Sequence, residues 1–272
     1  MKLGYIDFLN CYPFYYHMFE QAPIDGVEVV PGYPGKLNAM ITAGELDMSP
    51  ISSATCADIH EELMVLPDFC LSSIGYVGSV TLAANCPIEE LDGKTVGVTS
   101  ASHTSAVLLK TLLKKYYQAE PAYVTTEPRP TLEGLDAALL IGNDAMVCTT
   151  RPVPYRYDLG DLWLRKTGYP VVFAVFAVRK DAAQRYLPQV KAVIASYRLS
   201  LDRLKNEKDL VIRNAARKYD DVLYDLDEYY KTLKFEFTDQ LKAALMFYFE
   251  QGAALGLIKP VRHLTFFDAD YE

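Results

Sequence analysis

Residues 4–13 read Gly-Tyr-Ile-Asp-Phe-Leu-Asn-Cys-Tyr-Pro. The apolar run Leu3 to Ile6 is a short strand that passes directly into a loop carrying Asn10. Pro13 then opens an amphipathic segment, Phe14 to Phe19. Proline suits a helix's first turn because the N–H it lacks has no partner there. A strand that hands the chain to a helix is the repeating unit of an open α/β sheet. In such sheets ligands bind beyond the carboxyl ends of strands, near helix N-termini. Asn10 stands at such a place, although a turn residue that merely caps the helix reads the same way.

The unit repeats outward from there. Val27 to Val30 is a second strand. Pro34 to Ala43 is helical, with Leu37, Met40 and Ile41 on one face and Gly44 to end it. Leu46 to Met48 begins a third strand, which ends at Ser49-Pro50-Ile51-Ser52-Ser53. Thr55 to Leu63 is helical, and the chain is β-rich from Met64 to Leu66 and from Cys70 to Ala84. Near Asn85-Cys86-Pro87 the pattern restarts. The strand Lys94 to Val98 leads to the polar loop Thr99 to Ser105 and then to the amphipathic helix Ala106 to Tyr117. The strands Ala122 to Thr125 and Ala137 to Ile141 follow, the latter ending at Gly142-Asn143-Asp144. Leu159 to Lys166 is a short helix. Val171 to Val178 is apolar throughout, as a central strand covered on both faces would be. Beyond Arg179 the chain reads as all-helical (181–205, 207–218, 225–234 and 238–255, closed by Gly256), with Tyr, Leu and Phe at core spacing.

This layout predicts two α/β lobes. Residues 1–85 with 178–272 form lobe 1, including the C-terminal helices, and residues 86–177 form an inserted lobe 2. The chain crosses near Ala84–Pro87 and again near Phe176–Lys180. Two crossings make a hinge, and the cleft between lobes is the expected ligand site.

The 272 residues, half of them hydrophobic, suffice for a core of that size. A net charge of −8 argues against nucleic acid as a partner. It leaves room for a small anion held by backbone N–H groups and hydroxyls. The longest apolar run, Tyr169 to Val178, is strand-sized, so no membrane span is expected. Residues 1–20 lack a basic n-region, which points to the cytoplasm. Cys11, Cys56, Cys70, Cys86 and Cys148 show no CxxC spacing and are expected to be reduced, mostly buried thiols, with Cys11 of interest because it adjoins Asn10. His17, His60, His103 and His263 form no metal motif, and no metal or cofactor is expected.

Several segments, in order, resemble the chorismate dehydratase family of the futalosine route to menaquinone. They are residues 4–13; Gly44-Glu45-Leu46-Asp47-Met48-Ser49-Pro50; Leu66-Pro67-Asp68; Ser100-Ala101-Ser102-His103-Thr104-Ser105; Leu140-Ile141-Gly142-Asn143-Asp144-Ala145; and Asp158-Leu159-Gly160 through Trp163 to Val175. The resemblance covers about residues 1–180. It implies an α/β, two-lobed type II periplasmic-binding-protein-like fold with a hinge, an interlobe cleft and C-terminal helices, put to work as an enzyme. The chain departs from the family's pattern twice. His103 stands where the family has an arginine, and Ile74-Gly75-Tyr76 where it often has Asp-Gly-Pro. A histidine meets carboxylates differently from an arginine fork.

The implied reaction is loss of water from chorismate to give 3-[(1-carboxyvinyl)oxy]benzoate, downhill because the ring becomes aromatic. A dianionic substrate needs two anion sites. The 99–105 loop offers one, since six of its seven residues carry a hydrogen-bonding side chain. Ser100, Ser102, His103, Thr104 and Ser105 are the binding candidates there, with an ordinary helix cap as the alternative. Ser52, with its neighbour Ser53, faces them from the other lobe, and Asn143 adds a further candidate that a strand-to-helix turn also explains. Asn10 and Ser79 match the family's catalytic pair. Neither is a base at neutral pH, so the expectation is substrate-assisted catalysis, with the enolpyruvyl carboxylate taking the ring proton. Asp47 and Asp68 are rival acid/base candidates that read more simply as turn caps. Two other functions stay open: a non-catalytic binder of a small carboxylate, and the dihydroxynaphthoate-forming enzyme of the same pathway, for which His103 would be the natural base. The C-terminal helices either brace lobe 1 or form a homodimer surface.

Overall fold

The structure, a computed structural model, describes residues 1–147, 152–222 and 224–268. The chain opens with β1 (Lys2–Ile6), α1 (Tyr12–Glu20), β2 (Glu28–Gly32), α2 (Pro34–Thr42), β3 (Met48–Ser52), α3 (Ser53–Ile59) and the long β4 (Leu63–Ser73). It continues through β5 (Val80–Ala84), β6 (Thr95–Thr99), α4 (His103–Leu112), β7 (Ala122–Thr126), β8 (Ala137–Ile141), α5 (Gly142–Val147), β9 (Tyr155–Asp158) and α6 (Leu159–Thr167). It returns as β10 (Val171–Arg179), α7 (Lys180–Arg185), α8 (Leu187–Asn206), α9 (Lys208–Lys218), α10 (Leu226–Thr232), β11 (Leu233–Glu236) and α11 (Asp239–Ala253).

Two sheets result. The first has the order β11-β4-β10-β3-β1-β2 and the second β7-β6-β8-β5-β9. In the first, β1 pairs in parallel with β2 and β3, while β10 lies antiparallel between β3 and β4. β10 is apolar from Val171 to Val178, as a strand covered on both faces is, and all but its last residue, Arg179, are buried. Beneath the sheet α1 packs on α8, and Phe14, Phe176 and Tyr197 form an aromatic cluster with ring centroids 4.2–5.6 Å apart. Local signals also hold. Gly44 takes a φ of +75° just past α2, where its N–H bonds to Ile41 O, a conformation in which a side chain would be strained.

The sheets part at other points than expected. β5 pairs with β8 and β9, so the chain has already crossed by Val80, and β10 belongs to the first sheet, so it has returned by Val171. The expected crossings at Ala84–Pro87 and Phe176–Lys180 therefore move to 74–79 and 168–170. An apolar run announces a buried strand, but its partners lie far away in sequence and decide which sheet it joins. For the same reason β11 interrupts the segment expected to be all-helical. Its four residues pair along the edge of β4.

Candidate active site

Asn10, Ser52 and Gly142 follow the carboxyl ends of β1, β3 and β8, or in the case of Ser52 occupy that end, and Ser102 and Ser105 stand at the start of α4. Each is held by contacts the sequence does not announce. The loop after β1 is pinned at Leu9, whose N–H donates to Asn143 Oδ1 (3.0 Å) and whose carbonyl accepts from the Tyr230 hydroxyl (3.0 Å). Gly142 has a φ of +57°, and a Cβ there would enter the Phe8 ring. Ser52 is gripped twice by Asn38 of α2. Its N–H donates to Asn38 Oδ1 (3.1 Å), and its hydroxyl accepts from Asn38 Nδ2 (2.9 Å). Ser102 caps α4, its hydroxyl accepting from Ser105 N (3.2 Å) and donating to Ser105 Oγ (3.0 Å).

Asn10, Ser52, Ser79, Ser102 and Ser105 line one cavity between the two sheets, with Phe8 and Phe173 among its apolar walls. Among the described residues no lining side chain is ionisable. What the cavity offers an anion is hydroxyls, an amide and the positive end of α4, where unpaired N–H groups amount to roughly half a unit charge. Ser79 immediately precedes β5. Its carbonyl accepts from Gly142 N (2.7 Å), and its hydroxyl accepts from the buried Tyr229 hydroxyl (2.8 Å). The Asn10 amide faces that same tyrosine hydroxyl. Asn10 Oδ1 is buried with no hydrogen-bond partner among the described residues.

The other expected binding residues stand elsewhere. Thr104 is buried and its hydroxyl is occupied, donating to Phe173 O (2.9 Å) and accepting from Ala54 N (3.2 Å). Asn143 is spent on Leu9. Ser100 is exposed. His103 lies on the α3–α4 contact, its Nδ1 3.2 Å from Thr55 Oγ1 and 3.9 Å from Asp58. Burial pushes it below its ordinary pKa, with Asp58 opposing. Thr104, Asn143 and His103 thus join the lobes rather than face the cavity. A polar loop at a helix start advertises donors without saying which of them the opposite lobe will use. Cys11 is fully buried and burial pushes its thiol well up, so it is packing. Cys56 and Cys70 are likewise buried and pushed up to about 12, Cys86 is half-buried, and Cys148 lies outside the described residues. Asp47 accepts from Lys2 N (2.6 Å) and Asp68 pairs with Arg198 (2.6 Å), both away from the cavity. Among the described residues no three His, Cys, Asp or Glu are grouped to hold a metal ion.

The cavity is about 50 Å³, room for roughly one or two waters. The lobes are shut on one another. Gly35 N donates to Ala101 O (2.9 Å), Tyr248 donates to Thr104 O (3.1 Å), and Arg129 pairs with Asp144 on one side and Asp221 on the other. Ligand pockets for molecules of drug size run to several hundred Å³, on the order of 300–1,000, so entry requires the lobes to part.

Residues 1–254 match a family model described as menaquinone biosynthesis. A chorismate dehydratase of Thermus thermophilus is 32% identical over 192 residues, 64% of this chain and 68% of the relative. A 1,4-dihydroxy-6-naphtoate synthase of the same organism is 22% identical over 226 residues, 82% of each chain. Among solved structures, the alkanesulfonate-binding protein SsuA from Xanthomonas axonopodis pv. citri, bound to MOPS, superposes with a TM-score of 0.72 at 13% identity. That match covers 97% of this chain and 96% of the other, a likeness of fold.

Proposed function

Because the chain belongs to the menaquinone-biosynthesis family and is a homologue of chorismate dehydratase, we propose that it removes water from chorismate to give 3-[(1-carboxyvinyl)oxy]benzoate, with Asn10 and Ser79 as its catalytic residues. The observation that carries this reading is the cavity wall: donors and an amide converge there, and among the described residues no side chain that lines it can act as a base. A reaction that needs a proton removed must then find its base in the substrate. The enolpyruvyl carboxylate takes the proton from the ring carbon bearing the ether. That C–H pair becomes the new ring double bond, the neighbouring C–O bond breaks, and the proton and hydroxide leave as water. Ser79 and Asn10 hold the departing hydroxyl and the carboxylate in line, and the protein's share is orientation and fixed dipoles. Ser105, at the α4 N-terminus and left with its own proton to donate because it accepts from Ser102, and Ser52 receive the carboxylates. The lobes close over the ligand and exclude water that would compete for these donors. The naphthoate alternative relied on His103 as base. Its place on the α3–α4 contact, outside the cavity, gives that reading no support.

The test is incubation with chorismate without added metal or cofactor, with products followed by mass. A product lighter by one water is expected. Asn10→Ala and Ser79→Ala are each expected to lower turnover about a hundredfold or more while chorismate binding, measured separately, stays within a few fold. Near-normal turnover in both variants overturns the assignment of the pair.

A further inference from the structure

We infer that Tyr229 is a positioning residue for this reaction, one hydroxyl that orients both Asn10 and Ser79. The inference rests on the reading of the site given above. Tyr229 is not part of the cavity wall and touches no substrate. It reaches the site from behind, on α10, which belongs to the C-terminal helices rather than to either ligand-facing loop.

The argument is one of proton counting. The Tyr229 hydroxyl has a single proton, and it donates that proton to Ser79 Oγ at 2.8 Å. Burial keeps this hydroxyl in its neutral, donating form, against the opposing pull of Ser79 and Asn10. A serine hydroxyl that accepts on that side must direct its own proton elsewhere. With Ser79 nearly fully buried and its outer face on the cavity, elsewhere is toward the ligand. The tyrosine therefore makes Ser79 a fixed donor instead of a rotor with several settings. The Asn10 amide lies against the same oxygen, while Asn10 Oδ1 has no partner among the described residues and remains an acceptor for the ligand. The adjacent Tyr230 holds the Leu9 carbonyl, so α10 presents one tyrosine to each catalytic loop. Asn10 follows the first sheet's β1 and Ser79 immediately precedes the second sheet's β5, so a single hydroxyl sets the geometry across the cleft.

The experiment is a double-mutant cycle on the full chain with chorismate: wild type, Tyr229→Phe, Ser79→Ala and the double variant, with kcat and KM measured separately and melting followed alongside. The expected result is a fall in kcat of about tenfold or more in Tyr229→Phe, with KM within about threefold. In the Ser79→Ala background the same change should cost clearly less than in the wild type, because only its route through Asn10 remains. An unchanged kcat, or a full additional loss in the Ser79→Ala background, overturns the inference. Should Tyr229→Phe melt below assay temperature, 3-fluorotyrosine at position 229 keeps the ring shape and strengthens the donor. It must then alter kcat in the wild-type background and do so less in Ser79→Ala. Wild-type protein that does not dehydrate chorismate overturns the reading of the activity and this inference together. Wild-type turnover with an indifferent Tyr229 overturns the inference alone.

Discussion

Asn38 is a buried amide on an otherwise apolar helix face, and its two bonds to Ser52 define its own orientation. Since the Ser52 N–H can only donate, the amide oxygen must face it. The amide nitrogen then donates to the hydroxyl and leaves that hydroxyl's proton for the cavity. Asn38→Ala strands two polar groups of Ser52 away from water, which costs about 1–3 kcal/mol. A melting point lower by about 2–10 °C is expected, together with weaker chorismate binding. Unchanged binding would separate Ser52 from the ligand. Asn10, Ser52, Ser79, Ser102 and Ser105 were legible in the sequence because each stands where a strand or helix begins or ends, a place that local patterning and family motifs mark. Asn38 and Tyr229 were not. Asn38 meets Ser52 across 14 residues and Tyr229 meets Ser79 across 150, and nothing local distinguishes either from ordinary packing. Thr104 and Asn143 failed in the opposite sense, since their polar side chains were visible but their partners on the other lobe were not.

The first crossing between the sheets, residues 74–79, is held by the residue that begins α6. Asp158 caps that helix through Asp161 N (3.0 Å), and its carboxylate also accepts from Val77 N (3.1 Å) and Gly78 N (2.7 Å). Gly160 lets the Gly75 carbonyl approach where a Cβ would collide with it. The Asp158-Leu159-Gly160 motif is thus a buttress for the crossing, and it sets where the strand after Ser79 starts. Asp158→Ala is expected to cost about 2–4 kcal/mol, a lost cap plus two unpaired N–H groups, read from urea unfolding. Asparagine, an equally good cap in general, should not restore the stability, because its NH₂ would face the Gly78 N–H. Full recovery in Asp158→Asn would mean that only the cap matters. The sequence located this motif but not its purpose, because the crossing it supports was expected some ten residues later. Ile74 and Tyr76, which depart from the family's pattern, are about half exposed on this crossing, where Tyr76 meets the Tyr224 hydroxyl (3.2 Å). Their divergence falls on the outside of the hinge and leaves the position of Ser79 intact.

Two lobes that close on a cavity of about 50 Å³ must open to admit a ten-carbon dianion, so catalysis requires both states. Closure depends on backbone approaching backbone. Gly35, in the first turn of α2, donates to Ala101 O, and a Cβ on it would collide with the Ser100 carbonyl of the opposite lobe. Within its own lobe this position is an ordinary helical one, where alanine is the better helix former. Gly35→Ala should therefore leave lobe 1 folded and prop the cleft open. The expected outcome is an unchanged or higher melting point and a larger radius of gyration in solution scattering with chorismate present. Turnover should fall about tenfold or more, because water enters and the donors of the two lobes no longer face one substrate. A variant that compacts on adding chorismate as the wild type does, and keeps its turnover, would show that catalysis proceeds without this contact and that the closed arrangement is not the working one.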